Sequence, residues 1–307
     1  MSRWGNSKEL TQASYSLVKD NPGMYRWTVL AAVHGAVIGA IGSVVGLALM
    51  LVGDYMINPD APTEPSDFGF VPLVFGAIVV LGSVIGGLTA ANRQLAGLIR
   101  VTDDVLHGRT PDEDAALDAA HSRLGALAAW SAISVAVGTL VSLINGDGSG
   151  GFITAILRSL LAGLVAAVWA VLTTLVMPLI VLEQLGAVAA IKRSAGIIRT
   201  TWGEAVLGSV RIGARFALVF GIPGGLLLVG GVVLAVVVEG AAIPVGAVLA
   251  LCGVALIVVG SVKAATCRNV FGVALYRWAN GDGALGPFSE SDLRGAVEVK
   301  DSPVPVG

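Results

Sequence analysis

Long apolar runs separated by short polar stretches organise the whole chain. The runs cover about 27–53, 71–92, 124–145, 159–182, 214–238 and 243–263. Each can form a membrane span, because about 20 helical residues cross a hydrocarbon core of about 30 Å. Helices are expected, since an open strand cannot satisfy its backbone in lipid and the alternation of a barrel strand is absent. The pattern therefore predicts an all-α, polytopic integral membrane protein with six transmembrane helices. One membrane domain is expected over 1–297, followed by a loose tail at 298–307.

The polar stretches predict more helix. Leu10, Ala13, Leu17 and Val18 recur at helical spacing in 7–20, and "NPG" at 21–23 ends that segment. Between the second and third runs, Thr110 as N-cap, Pro111 at N1 and Glu113 at N3 form a capping box. The helix it opens is expected to continue into the third span. Beyond Lys263, "KAATCRNVFGVALYRWANG" continues helically and stops at Gly281, and a short "SESDLRGAVEV" segment follows.

One polar stretch is organised differently. In "MPLIVLEQLGAVAAIKRSAGIIRTTWG" (177–203), Val188, Ile191, Ala195, Ile198 and Trp202 mark one helical face. Lys192, Arg193, Arg199 and Thr200 fall on the other. A basic amphipathic helix of this kind is expected to lie in the membrane interface, each base contributing about 1 kcal/mol near an anionic surface. Arg211 and Arg215 extend the same positive stretch and can snorkel toward water.

Composition sharpens the picture. Charged residues make up 13% of the chain, against roughly 25% in soluble domains. The formal net charge of −2 argues against a nucleic-acid partner. Of the 19 Lys and Arg, all but Arg158 fall on one side of the six-span arrangement. The segments after the first, third and fifth runs instead carry Asp54, Asp60, Glu64, Asp67, Asp147 and Glu239. The positive-inside rule then places both termini in the cytoplasm. Cys252 and Cys267, fifteen residues apart and so roughly 22 Å along a helix, are expected to serve packing, beyond disulfide reach.

Within the runs, "GAVIG" (35–39), "GSVVG" (42–46) and "GSVIG" (82–86) suggest close packing of the first two helices, with a dimer interface as the alternative. Pro223 should kink or thin the fifth span. His34 is the one ionisable side chain set within a span, where such groups are functional suspects, and Glu183 stands at the membrane edge. These three make a candidate intramembrane polar site. No GxSxG, HExxH, phosphate loop or metal-ligand spacing occurs, so no catalytic residue, metal or cofactor is expected.

The stretches "MPLIVLEQLGAVAAIKRSAGIIRTTWGEA", "AAHSRLGALAAWSAISVAVGTLV" and "FGVALYRWANGDGALGPFSESDLRGA" resemble a family of prokaryotic multi-pass membrane proteins, domain-of-unknown-function family 6159. The positions concerned are Pro178, Glu183, Gly186, Lys192, Arg193, Ser194, Thr201, Trp202 and Gly203, with Ala-Leu-Tyr-Arg at 274–277. The resemblance covers about 8–297 and departs near the start, where "ASYS" stands in place of an aromatic Ser-Trp. It implies a six-helix fold with no assigned activity. More distantly, the layout is similar to membrane domains fused to glycerophosphodiester phosphodiesterases, but no catalytic domain of that kind is present.

The functional expectation is a non-enzymatic scaffold of a prokaryotic plasma membrane. Lys192, Arg193, Arg199, Trp202, Arg211 and Arg215 would contact anionic lipid of the inner leaflet or a protein partner, which could be a second copy of the chain. The alternative is a transporter or permease for a small or lipidic solute.

Overall fold

A computed structural model describes residues 3–57, 68–146, 152–201, 215–238, 242–289 and 293. All regular structure among them is helical. The helices are α1 (Arg3–Asp20), α2 (Gly23–Ile57), α3 (Phe70–Leu106), α4 (Glu113–Ser122), α5 (Leu124–Asn145), α6 (Phe152–Leu172), α7 (Val176–Leu182), α8 (Ala187–Thr201), α9 (Ile222–Val237) and α10 (Ala242–Ala279). Five helical stretches are long and apolar enough to cross a membrane: Gly23–Ile57, Phe70–Leu106, Leu124–Ile144, Ala217–Val237 and Ile243–Ala279.

The fourth expected span, 159–182, is not one continuous helix. α6 covers Phe152–Leu172, a turn covers Thr173–Leu175, and α7 follows from Val176. Pro178 cannot donate to the carbonyl of Thr174 and its ring crowds it. The hydroxyls of Thr173 and Thr174 also bond back to Trp169 O (2.7 Å) and Ala170 O (2.8 Å). The break is the outcome, and Pro178 sits in the first turn of α7, where no donor is needed.

Two other boundaries differ from expectation. The N-cap of α4 is Asp112 rather than Thr110; its Oδ1 accepts from the N–H groups of Asp114 and Ala115, both at 3.0 Å. Pro111 disfavours the helical region for Thr110, and Asp112 caps by the usual carboxylate geometry. α4 also stops short of α5, separated by Arg123 (φ −104°, ψ 7°). The Arg123 guanidinium donates to the carbonyls of Gln184 and Leu185, which holds the α7–α8 turn.

The chain divides into two compact units. One comprises residues 29–100 and 112–195. Its spans α2 and α3 run antiparallel along a glycine seam. A Cβ on Gly76 would lie 2.5 Å from Gly46 O, one on Gly87 2.6 Å from Gly35 O, and one on Gly53 2.7 Å from Gly69 O. Gly42 meets Ser83 in the same way. Gly42 and Gly46 of the expected four-residue motif both lie in this seam, as does Gly35, whereas Gly39, Gly82 and Gly86 have room to spare. Trp130 of α5 stacks on Trp169 of α6 with centroids 5.8 Å apart, and Asn92 donates to the Ser131 hydroxyl at 3.0 Å.

The second unit comprises 1–28, 101–111 and 196–307. Its hairpin α9–α10 repeats the seam: a Cβ on Gly231 would stand 2.5 Å from Gly246 O, and one on Gly253 2.6 Å from Gly224 O. At the far end of α10, Val270, Phe271, Val273, Leu275 and Tyr276 are buried together with Leu17, Val18, Met24, Trp27, Leu106 and Phe288. α1 packs on α10, and the hydroxyls of Thr28 and Thr266 bond at 2.8 Å inside this core. The expected helical continuation past Lys263 ends at Ala279, and Gly281 takes the left-handed conformation (φ 92°) that stops it. The expected tail at 298–307 lies outside the described residues.

Candidate functional site

The most concentrated chemistry is an ion network in the second unit. Asp103, near the C-terminus of α3, is fully buried. Its Oδ1 accepts from Arg277 Nε at 2.6 Å, and its Oδ2 from Arg277 Nη2 at 2.9 Å and Arg109 Nη2 at 3.1 Å. Arg109 also donates through Nε to Asp104 Oδ1 at 2.9 Å, and Arg277 through Nη1 to Asp282 Oδ2 at 3.2 Å. His107 Nδ1 donates to Asp103 O at 2.7 Å.

Local backbone explains the arrangement. Gly108 takes φ 68°, which reverses the chain after α3 and returns Arg109 over the helix end. Arg277 lies on α10 beyond the apolar run 243–263. Its hydrogen bond to Asp103 pushes its pKa further above the usual arginine value, against the opposing effect of burial. The Asp103 carboxylate accepts a fork from Arg277 and a single bond from Arg109, which commits most of its lone pairs. The arrangement clamps the end of α3 to the end of α10. Sequence reading passed over Asp103 and Asp104; the signal was an adjacent carboxylate pair set among Val101, Val105 and Leu106, which needs a cation to be buried.

A second feature surrounds Pro223. The helix before it widens to a π-helical turn, Ala217–Gly221, in which Ile222 N–H reaches Ala217 O. Pro223 then falls in the first turn of α9, where its missing donor costs nothing. Phe216 and Phe220 stack with centroids 6.0 Å apart. Lys263 Nζ stands 5.4 Å from the centre of the Phe220 ring, within cation–π range. Grooves of about 210 and 180 Å³ share Phe216 and Phe220 in their linings; Arg215 and Lys263 line the first and Arg268 the second.

The other residues singled out from the sequence fall as follows. Glu183 ends α7, and Gln184 after it is left-handed (φ 56°). α8 begins at Ala187, and its buried side chains are Ala187, Ala190, Ser194, Ile197 and Ile198. Val188, on the apolar face expected to lie in the membrane interface, is 57% exposed. On the buried face, Ser194 Oγ donates at 2.6 Å to Leu172 O, a carbonyl left over where α6 ends. Lys192 and Arg193 are exposed, with Arg193 3.8 Å from Glu183. Arg199 belongs to α8, but its side chain, like Trp202 and Arg211, lies outside the described residues. His34 faces outward from α2 and donates from Nδ1 to Leu30 O at 2.8 Å. Arg215 precedes the π-helical turn by two residues and Pro223 follows it by two. Cys252 and Cys267 are both free thiols, and only Cys267 is buried.

A family model of unknown function, DUF6159, matches residues 70–286. The chain belongs to DUF6159. The match begins at the second span, so it is narrower than the resemblance read from the motifs. No curated protein and no solved structure matches the chain. Several DUF6159-like positions have physical roles here. Ser194 satisfies the end of α6, Glu183 faces Arg193, and Arg277 of the Ala-Leu-Tyr-Arg run holds Asp103.

Proposed function

We propose that this DUF6159 member is a non-enzymatic scaffold of the cell membrane that gathers anionic lipid against its basic segments. The cytoplasmic placement of both termini and of these segments follows from the bias of Lys and Arg. The observation that carries the reading is α8. It buries Ala187, Ala190, Ser194, Ile197 and Ile198 on one face and leaves Lys192 and Arg193 exposed on the other. Such a helix beside a bilayer presents charge to phosphate head groups.

The test is lipid mass spectrometry of the full chain purified from vesicles of mixed phosphatidylglycerol and phosphatidylcholine. The wild type is expected to enrich phosphatidylglycerol, and Lys192→Glu with Arg193→Glu and Arg199→Glu to lose most of that enrichment. Unchanged enrichment in the triple variant removes the reading.

A permease is the second reading, favoured by the interrupted helices at Thr173–Leu175 and Ala217–Gly221, since broken helices build transport sites. Against it, the α9–α10 seam is closed by backbone contact at Gly231 and Gly253. Solute uptake by proteoliposomes would decide for the permease.

A further inference from the structure

The π-helical turn makes the lipid reading specific to one place, and this inference rests on the proposal above. Gly260 of α10 admits Phe220: a Cβ there would collide with the Phe220 Cβ and lie 2.8 Å from its Cγ. The stacked pair Phe216–Phe220 is thereby wedged between two grooves. Three bases stand at the rims, Arg215 and Lys263 on one side and Arg268 on the other, and neither lining contains a carboxylate. Arg215 and Arg268 are exposed, while Lys263 is half-buried over an aromatic face. Val219 of the first groove and its neighbours Leu218 and Ile222 are 56%, 63% and 54% exposed, and they belong to a stretch apolar enough to be lipid-facing.

We propose that these grooves form a binding site for one anionic membrane lipid. Arg215 and Lys263, which line one groove, receive its phosphate, Arg268 of the adjoining groove adds positive charge to the site, and Phe216 and Phe220, common to both linings, receive the first part of its acyl chains. A charged rim over an apolar floor fits an amphiphile whose two ends differ in the same way. A soluble phosphate would use the bases and leave the aromatic floor uncovered, so the site is assigned to the lipid.

Native mass spectrometry of the full chain, released from mild detergent after exposure to phosphatidylglycerol or phosphatidylcholine of matched chains, tests the site. The wild type is expected to retain one phosphatidylglycerol per chain. Arg215→Gln with Lys263→Gln and Arg268→Gln should weaken retention by about a hundredfold, at roughly fivefold per base. Lys19→Gln, an exposed base outside the grooves, should leave it unchanged. Gly260→Leu keeps every charge but displaces Phe220, and should also weaken retention; thermal unfolding verifies that each variant is folded. If the triple variant destabilises the protein, Lys263→Gln alone is read, with about a fivefold loss expected. Retention unchanged in the folded variants overturns the site and leaves the broader lipid reading standing. Absence of retained phosphatidylglycerol from the wild type overturns both. Displacement of the bound lipid by millimolar inorganic phosphate overturns the assignment to a lipid.

Discussion

From Ile243 to Val259, α10 turns its bulky side chains outward: Val245, Val248, Leu251 and Val258 are half or more exposed, while Gly246 and Gly253 face the neighbouring helix. From Ala264 to Tyr276 the same helix reverses the arrangement, burying Val270, Phe271, Leu275 and Tyr276. The difference is the one that a change of solvent along one element would produce. In lipid, burying Leu or Val against protein gains little over leaving it in acyl chains, so close backbone approach through small residues decides packing. In water, apolar area is worth roughly 25 cal/mol per Å², and large side chains go inside. Lys263 stands where one rule gives way to the other, with its stem among apolar neighbours and its amine over Phe220.

The comparison can be broken by substitution. The largest effect is expected at Asp103→Ala in the water-type end. It strips Arg277 of its bidentate partner in a buried setting, and loss of one member of such a pair costs about 3–5 kcal/mol. Arg277→Ala combined with it should cost much less than the sum, as read by thermal unfolding in detergent through a double-mutant cycle. Gly231→Leu in the membrane-type end comes next. Its side chain would drive into Gly246 O and Ala250 N, and a loss of about 1–3 kcal/mol is expected from overpacking. Thr28→Val removes one partner of the buried Thr28–Thr266 hydroxyl pair. Because Thr266 still donates to Val262 O, about 1 kcal/mol is expected. Leu251→Ala, at a site 69% exposed, should shift stability by less than about 0.5 kcal/mol. If it proved as costly as Phe271→Ala, the two-solvent account would fail.

The sequence displayed the membrane-like helices plainly, because runs such as 27–53 and 243–263 are long and apolar enough to cross a bilayer. It also displayed α1, ended by "NPG", and the helical continuation to Gly281. What it hid has physical causes. The division of 159–182 depends on Pro178 acting with two threonine back-bonds, and hydropathy does not register either. The buried face of α8 was not assigned from the sequence, because one of its contacts is a hydrogen bond, Ser194 to Leu172 O, that apolar periodicity does not register. Arg215 and Pro223 could be named from the sequence. The bases Lys263 and Arg268 beside the aromatic pair could not be grouped with them, since their neighbourhood depends on the register of α10 against α9. The clamp was illegible for a related reason: Asp103 and Arg277 are separated by 174 positions.

The seam between α9 and α10 contains an asymmetry. α9 offers glycine at 224 and 231, whereas α10 offers it at 246, 253 and 260, and the third notch is filled by Phe220. Sliding one helix past the other by a single seven-residue step would still match Gly224 with Gly260 and Gly231 with Gly253. It would also carry Phe220 from the notch onto Cys267, whose side chain leaves no such opening. An aromatic ring thus serves as the stop on a track that would otherwise accept two alignments, and the hairpin is held to one of them.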